Sequence, residues 1–183
     1  GVYPPVDVGL AMLVTPPAKL LDGMRKARGC GLQVATHAIG DRGNRLVLDD
    51  YATVLAAAAG TDHRWRIEHA QVVSPVDIPR FAQLGLIASM QPTHATSDMP
   101  WAEARLGRER LAGAYAWRRF AQSGARLALG SDFPVESADP RLGLYSAEGE
   151  RLADHRLTVA GAAVTTPSWD TVELAAPPVG PIR

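Results

Sequence analysis

Leu32-Gln33-Val34-Ala35-Thr36-His37-Ala38-Ile39-Gly40-Asp41 decides the reading of this chain. A short apolar run ends in a histidine, and glycines at 40 and 43 leave room for a tight turn into a helix. Two further stretches have the same form. Ile67-Glu68-His69-Ala70 delivers a second histidine, and Arg126-Leu127-Ala128-Leu129 runs through Gly130-Ser131 to Asp132-Phe133-Pro134. In parallel α/β barrels the loops after the strands surround one mouth, so chemistry gathers where strands end.

Outward from these stretches, helix and strand patterns alternate. Thr15-Pro16 is an N-cap followed by a first-turn proline, and it predicts a helix over 16–28 that stops at Gly29. A strand is predicted over 31–36, a helix over 43–59 and a strand over 66–68. Ser74-Pro75 opens a helix that runs to Leu84, and a strand over 86–90 follows. A long loop over 91–101, a helix over 108–122 and a strand over 126–129 complete the series. This rhythm indicates βα units on a parallel sheet. The fold class is α/β: a partial (β/α)8 TIM barrel of about four parallel βα units, with an open four-stranded sheet as the alternative.

Half a barrel leaves two strand edges and one sheet face uncovered. That face is expected to show Val, Ile, Leu and Met, and to drive self-association. The partial barrel occupies 1–146, and 147–183 reads as an irregular tail with short β pieces around 157–164 and 172–174. The opening Gly1-Val2-Tyr3-Pro4-Pro5 has neither an initiator Met nor a signal-peptide pattern, so an internal fragment is expected.

Composition narrows the function classes. Hydrophobic residues make up 46% of the chain, enough for a core, and 19 basic residues balance 19 acidic ones. With no charged block, a nucleic-acid partner is not expected. No apolar run is long enough to span a bilayer. The single Cys30 cannot make an internal disulfide; it reads as a small buried residue at a helix–strand junction, and a cytoplasmic location is the expectation.

Histidines on consecutive parallel strands project into the same mouth, and imidazole suits zinc and other borderline divalent ions. Asp132 could bind the same ion and take a proton from an activated water. The competing readings are hydrogen-bonded core histidines and an aspartate that caps loop N–H groups. Ser131 lacks the Gly-x-Ser-x-Gly elbow of a nucleophile. Gly40-Asp41-Arg42-Gly43 lacks the phosphate-loop fingerprints, so Asp41 and Arg42 pair or cap the next helix. In the 91–101 segment, His94 and Asp98 are candidate substrate contacts and Trp101 a candidate pocket wall. A solvated loop with one anchored Trp is the equal alternative. His63 precedes its strand and reads as structural, and Glu136 has no assigned role.

The motifs THAIGDRGN, RIEHAQVV, IASMQPTHATSDMPWAE and ALGSDFPVES, in this order, resemble the amidohydrolase superfamily, specifically its YtcJ-like amidohydrolase family 3 branch. The resemblance covers about 10–146. It implies a (β/α)8 barrel, of which this chain carries strands 5–8, and a divalent metal, zinc first. His37 then matches the strand-5 metal histidine and His69 the strand-6 one. Asp132 matches the strand-8 aspartate, metal ligand and general base. His94 matches a substrate-contacting position. The implied activity is hydrolysis of a small-molecule amide, an N-acyl or N-formyl amine, by a metal-activated water. The family's strand-1 His-x-His pair and strand-4 ligand are not found, so the alternative is a catalytically idle α/β fragment lacking half of the metal site.

Overall fold

The computed structural model describes residues 14–56, 60–149, 157–159 and 162–164. Helix α1 (Pro17–Gly29) leads into strand β1 (Ala35–Ala38). Then follow α2 (Asp41–Leu55), β2 (Arg66–His69), α3 (Ile78–Gln83), β3 (Ile87–Met90) and α4 (Pro92–Leu106). A 3-10 turn (Arg110–Gly113), α5 (Trp117–Gln122), β4 (Arg126–Leu129) and α6 (Pro140–Gly149) complete this region. The chain divides into two compact units, Gly1–Ala147 and Glu148–Arg183. In the second, β5 (Leu157–Val159) pairs antiparallel with β6 (Ala162–Val164). The β piece expected at 172–174 lies outside the described residues.

Strands β1 to β4 form one parallel sheet in chain order. A doubly wound sheet reverses its strand order at a switch point. This sheet does not, and steady addition at one edge is how a (β/α)8 barrel grows. The first unit is therefore a partial α/β barrel of four βα units.

Alternation along the strands buries Thr36, Ile67, Ala88 and Met90 on one face. Helix α2 meets this core with Val47, Leu48, Tyr51 and Leu55, spaced to share one helical stripe. Phe81 of α3 and Phe120 of α5 meet edge to face with centroids 4.8 Å apart. The cap expected at Gly29 falls one residue later, at Cys30, and Gly31 takes the left-handed φ of +69° that turns the chain toward β1.

The opposite sheet face corrects an expectation. The register aligns Ala35, Arg66, Ile87 and Arg126 in one row and His37, Glu68, Ser89 and Ala128 in the next. Ile87 is the one large aliphatic residue among these eight, and Arg66 pairs with Glu68 at 2.6 Å. Charged side chains meet water here, so the apolar surface expected to drive self-association is not what this face carries.

Three local expectations are also revised. The long loop is instead helix α4. Pro92 sits in its first turn, where a missing N–H costs no hydrogen bond, and Gln91 before it is extended. The predicted helix over 108–122 breaks in two, because Val72 bridges to Ala114 and Tyr115 takes a φ of +50°. Cys30 is exposed, not buried. It caps α1, whose one buried side chain among the described residues is Met24. His63 is structural as expected: Nδ1 accepts from Trp65 N at 3.0 Å, leaving Nε2 to donate to Leu84 O at 2.8 Å.

Candidate metal centre

Each candidate ligand stands at the strand C-terminal rim. His37 is the third residue of β1, and His69 ends β2. His94 lies in the first turn of α4, just after β3, and Asp132 follows β4. One ligand atom each from His69, His94 and Asp132 lies within 4.8 Å of the other two. His37 stands beside this trio, with its ring edge-on to His69 at 4.4 Å. The rings of His69 and His94 are nearly parallel, 6.0 Å apart.

This meeting requires the strand pleat to break. Ala38 is in register with His69, so a regular pleat sends His37 and His69 to opposite faces. The backbone instead turns left-handed at His69 (φ +74°) and Ala70 (φ +44°). Asp132 is left-handed as well (φ +56°). Such conformations are sparsely populated by non-glycine residues and persist only where the surroundings over-determine them.

Around β1 and β2 the surroundings do so through two clamps. Buried Asn44 points its amide nitrogen at Ala38 O (3.1 Å), Ile39 O (3.3 Å), Gly40 O (2.9 Å) and Val72 O (3.3 Å). It thereby ties the loop after β1 to the loop after β2. Tyr51 donates to Arg66 O at 3.0 Å and accepts from Thr36 at 2.6 Å, joining the two strands from the helix side. Burial pushes the Tyr51 phenol well above its usual range, so it stays a neutral donor.

Hydrogen bonds set each histidine's proton. Gln91 donates its amide to Ser89 O at 3.3 Å, which turns its Oε1 toward His69 Nδ1 at 2.8 Å. His69 Nδ1 therefore donates, and the Nε2 lone pair is free to bind a cation. Burial first, then the neighbouring His37, holds His69 below the usual histidine range; Asp132 and Gln91 act in the opposite sense. The neutral, ligand-ready form is favoured.

His94 has a carboxylate at each nitrogen: Glu136 Oε1 at 3.4 Å from Nδ1 and Asp132 Oδ2 at 3.5 Å from Nε2. With the proton on Nδ1, the Nε2 lone pair confronts a carboxylate oxygen, and a cation between them relieves the repulsion. Two imidazoles and a carboxylate are a donor set for zinc or another borderline divalent ion, so the residues present fit a metal.

The remaining candidates are placed differently. Asp98 Oδ2 accepts from Gln71 at 2.7 Å and from Tyr115, so that oxygen is engaged within the protein. Trp101 is exposed on α4 with the Arg105 guanidinium 5.2 Å from its ring centre. His94 lies within the trio, beside His69 and Asp132. Sequence reasoning passed over Asn44, Gln91 and Glu136. Position was the available sign for the last two, since both lie just beyond strands whose ends carry chemistry.

Comparison with known proteins agrees with this geometry. Residues 5–166 match the profile of the amidohydrolase family. The Arabidopsis thaliana protein LONG AFTER FAR-RED 3 is 42% identical over 137 residues, 74% of this chain and 23% of that protein. The Bacillus subtilis (strain 168) protein named "Putative amidohydrolase YtcJ" is 39% identical over 124 residues, 68% of this chain and 23% of its own length. The chain thus spans less than a quarter of either curated relative. A crystal structure of an uncharacterized metal-dependent hydrolase from Pyrococcus horikoshii OT3 superposes with a TM-score of 0.66 at 34% identity, covering 75% of this chain and 26% of that one. With four βα units in barrel order, a His–His–Asp cluster on their shared rim and a family profile matched over most of its length, the chain belongs to the amidohydrolase family.

Proposed function

We propose that the whole protein hydrolyses amide-type C–N bonds of small N-acyl or N-formyl amines in the cytoplasm, and that its metal is zinc. The observation that carries this reading is the trio of His69, His94 and Asp132, whose ligand atoms lie within 4.8 Å of one another. His37, His69 and Asp132 hold the ion, with His94 in the same centre. When bound, zinc polarises the substrate carbonyl and makes a water a usable nucleophile near neutral pH. Asp132, partly exposed at the mouth, takes the proton from the attacking water and returns it to the leaving amine nitrogen. Gln91 keeps His69 in the tautomer that offers Nε2. Asp98 braces α4 through Gln71 and Tyr115, and Trp101 lines the approach of the substrate.

The test is zinc content by elemental analysis together with turnover of N-formyl and N-acyl amines by the whole protein. Asp132→Asn is expected to lower kcat by roughly two to four orders of magnitude while circular dichroism stays unchanged. Full activity in that variant removes the general base.

One observation favours a second reading for the chain by itself: its 183 residues contain no His-x-His pair. Supporting ligands displaced by about an ångström can cost on the order of a hundredfold in rate, so the isolated chain is expected to be idle. Zinc-dependent turnover by the isolated chain, lost in Asp132→Asn, contradicts that reading.

A further inference from the structure

We infer that Glu136 is the positioning residue for His94: tethered by Ser97, it fixes the proton of His94 on Nδ1 and so aims Nε2 at Asp132 and the metal. This deepens the proposed metal-hydrolase reading and rests on it.

The geometry comes from two elements that are distant in sequence. Glu136 lies four residues beyond Asp132 in the loop after β4, and His94 and Ser97 lie one turn apart on α4. Ser97 Oγ donates to Glu136 Oε1 at 2.7 Å, and the same oxygen stands 3.4 Å from His94 Nδ1. The His94 side chain is 10% exposed and that of Glu136 is 21% exposed, so water competes little for this contact. A carboxylate oxygen only accepts, so Nδ1 must donate. The arrangement parallels Gln91 at His69, where an acceptor also occupies Nδ1. Both imidazoles of the trio are thus held from behind by a side chain outside the trio. Acceptors behind metal-binding histidines fix ring orientation and raise ligand basicity.

The carboxylate has a particular advantage here. His94 Nε2 already faces Asp132 Oδ2 at 3.5 Å. Without Glu136, the simplest relief is for the proton to move to Nε2 and donate to Asp132. That shift closes the ligand lone pair and occupies the oxygen assigned to the general base. Glu136 makes the opposite tautomer the better one.

The experiment uses the whole protein, labelled with 15N at histidine, in wild type, Glu136→Ala, Glu136→Gln and Ser97→Ala forms. Imidazole 15N shifts of His94 are read metal-free, above the histidine titration range, and zinc is then titrated. Wild type is expected to show Nδ1–H. Glu136→Ala is expected to move the majority to Nε2–H and to weaken zinc binding on the order of 10–100-fold. Glu136→Gln retains an acceptor and should keep both properties within a few-fold of wild type, a rescue that a purely structural role does not predict. Ser97→Ala should fall between. If His94 remains Nδ1–H in a folded Glu136→Ala, or if Gln behaves as Ala, the positioning role is overturned. If wild type shows the Nδ1–H tautomer yet binds no zinc, the metal reading fails on its own while the tautomer assignment stands.

Discussion

Replacing Asn44 by alanine tests whether the site rests on its loop clamp. The Asn44 amide has two hydrogens shared among four carbonyls, so about two hydrogen bonds are lost, worth roughly 1 kcal/mol each. Ala38 O, Ile39 O and Gly40 O keep backbone donors from Ala70, Val72 and Asn44 itself. Val72 O has no backbone donor among the described residues and is left unpaired. In the opposite sense, Asn44 Oδ1 is itself buried without a partner, and deleting it returns roughly 1 kcal/mol. The small cavity costs a similar amount, about 1 kcal/mol, so the net destabilisation is about 2 kcal/mol. That corresponds to a fall in Tm of about 4–8 °C for a chain of this size. Urea denaturation of the metal-free protein measures it as a lower midpoint with an unchanged slope. Asn44→Leu separates the causes, since it fills the volume but restores no hydrogen bond. It removes the cavity cost but not the lost hydrogen bonds, so it should still lose about 1 kcal/mol. A loss below about 0.5 kcal/mol in both variants, typical of an uninvolved surface position, would refute the clamp.

Other expectations follow from single contacts. A Cβ at Gly113 would overlap the Val73 carbonyl oxygen, so Gly113→Ala should lose about 1–3 kcal/mol in the same denaturation assay; no loss would mean the two segments do not approach so closely. Tyr51→Phe removes the donor to Arg66 O and the acceptor for Thr36, and should cost about 1–3 kcal/mol, with a double-mutant cycle against Thr36→Val showing coupling between the two hydroxyls. Because burial lowers the folded-state pKa of His69, the metal-free protein should keep its full stability above the ordinary histidine pKa of about 6.5 and lose part of it as pH falls from there through the lower folded value. The same pH series on His69→Gln should be flatter across that window, and an equal slope would remove His69 as the cause. Saturating zinc should raise Tm reversibly, by about 2.7 kcal/mol of stability at one hundred times Kd, and a chelator should abolish the gain; His69→Gln should not respond.

The alternation of apolar runs with capped helical stretches made the sheet legible, and three of the four strand ends carried their candidate ligands in plain view. Helix α4 was hidden because it buries only small or polar side chains, such as Thr93, His94, Ala95 and Ala102, and carries Pro100 inside. No apolar stripe announces such a helix; its end at Gly107, with a φ of +75°, becomes visible only in three dimensions. Reading that segment as a loop separated His94 from the trio. The break after Gly113 depends on a bridge to Val72 more than forty residues away, which no local window contains. Asn44 and Glu136 act through contacts across 28 and 42 residues respectively, so neither role is written in its own neighbourhood.

The left-handed backbone at His69 and Asp132 sets stability and chemistry in opposition at the same two residues. Glycine is the residue these backbone angles favour, and non-glycine residues held in them cost on the order of 1 kcal/mol or more each. At Asp132, whose side chain is more than a third exposed, little packing offsets that strain. Asp132→Gly should therefore yield a protein that melts later and catalyses nothing. A laboratory screen that rewards thermal endurance alone would drift toward erasing the centre.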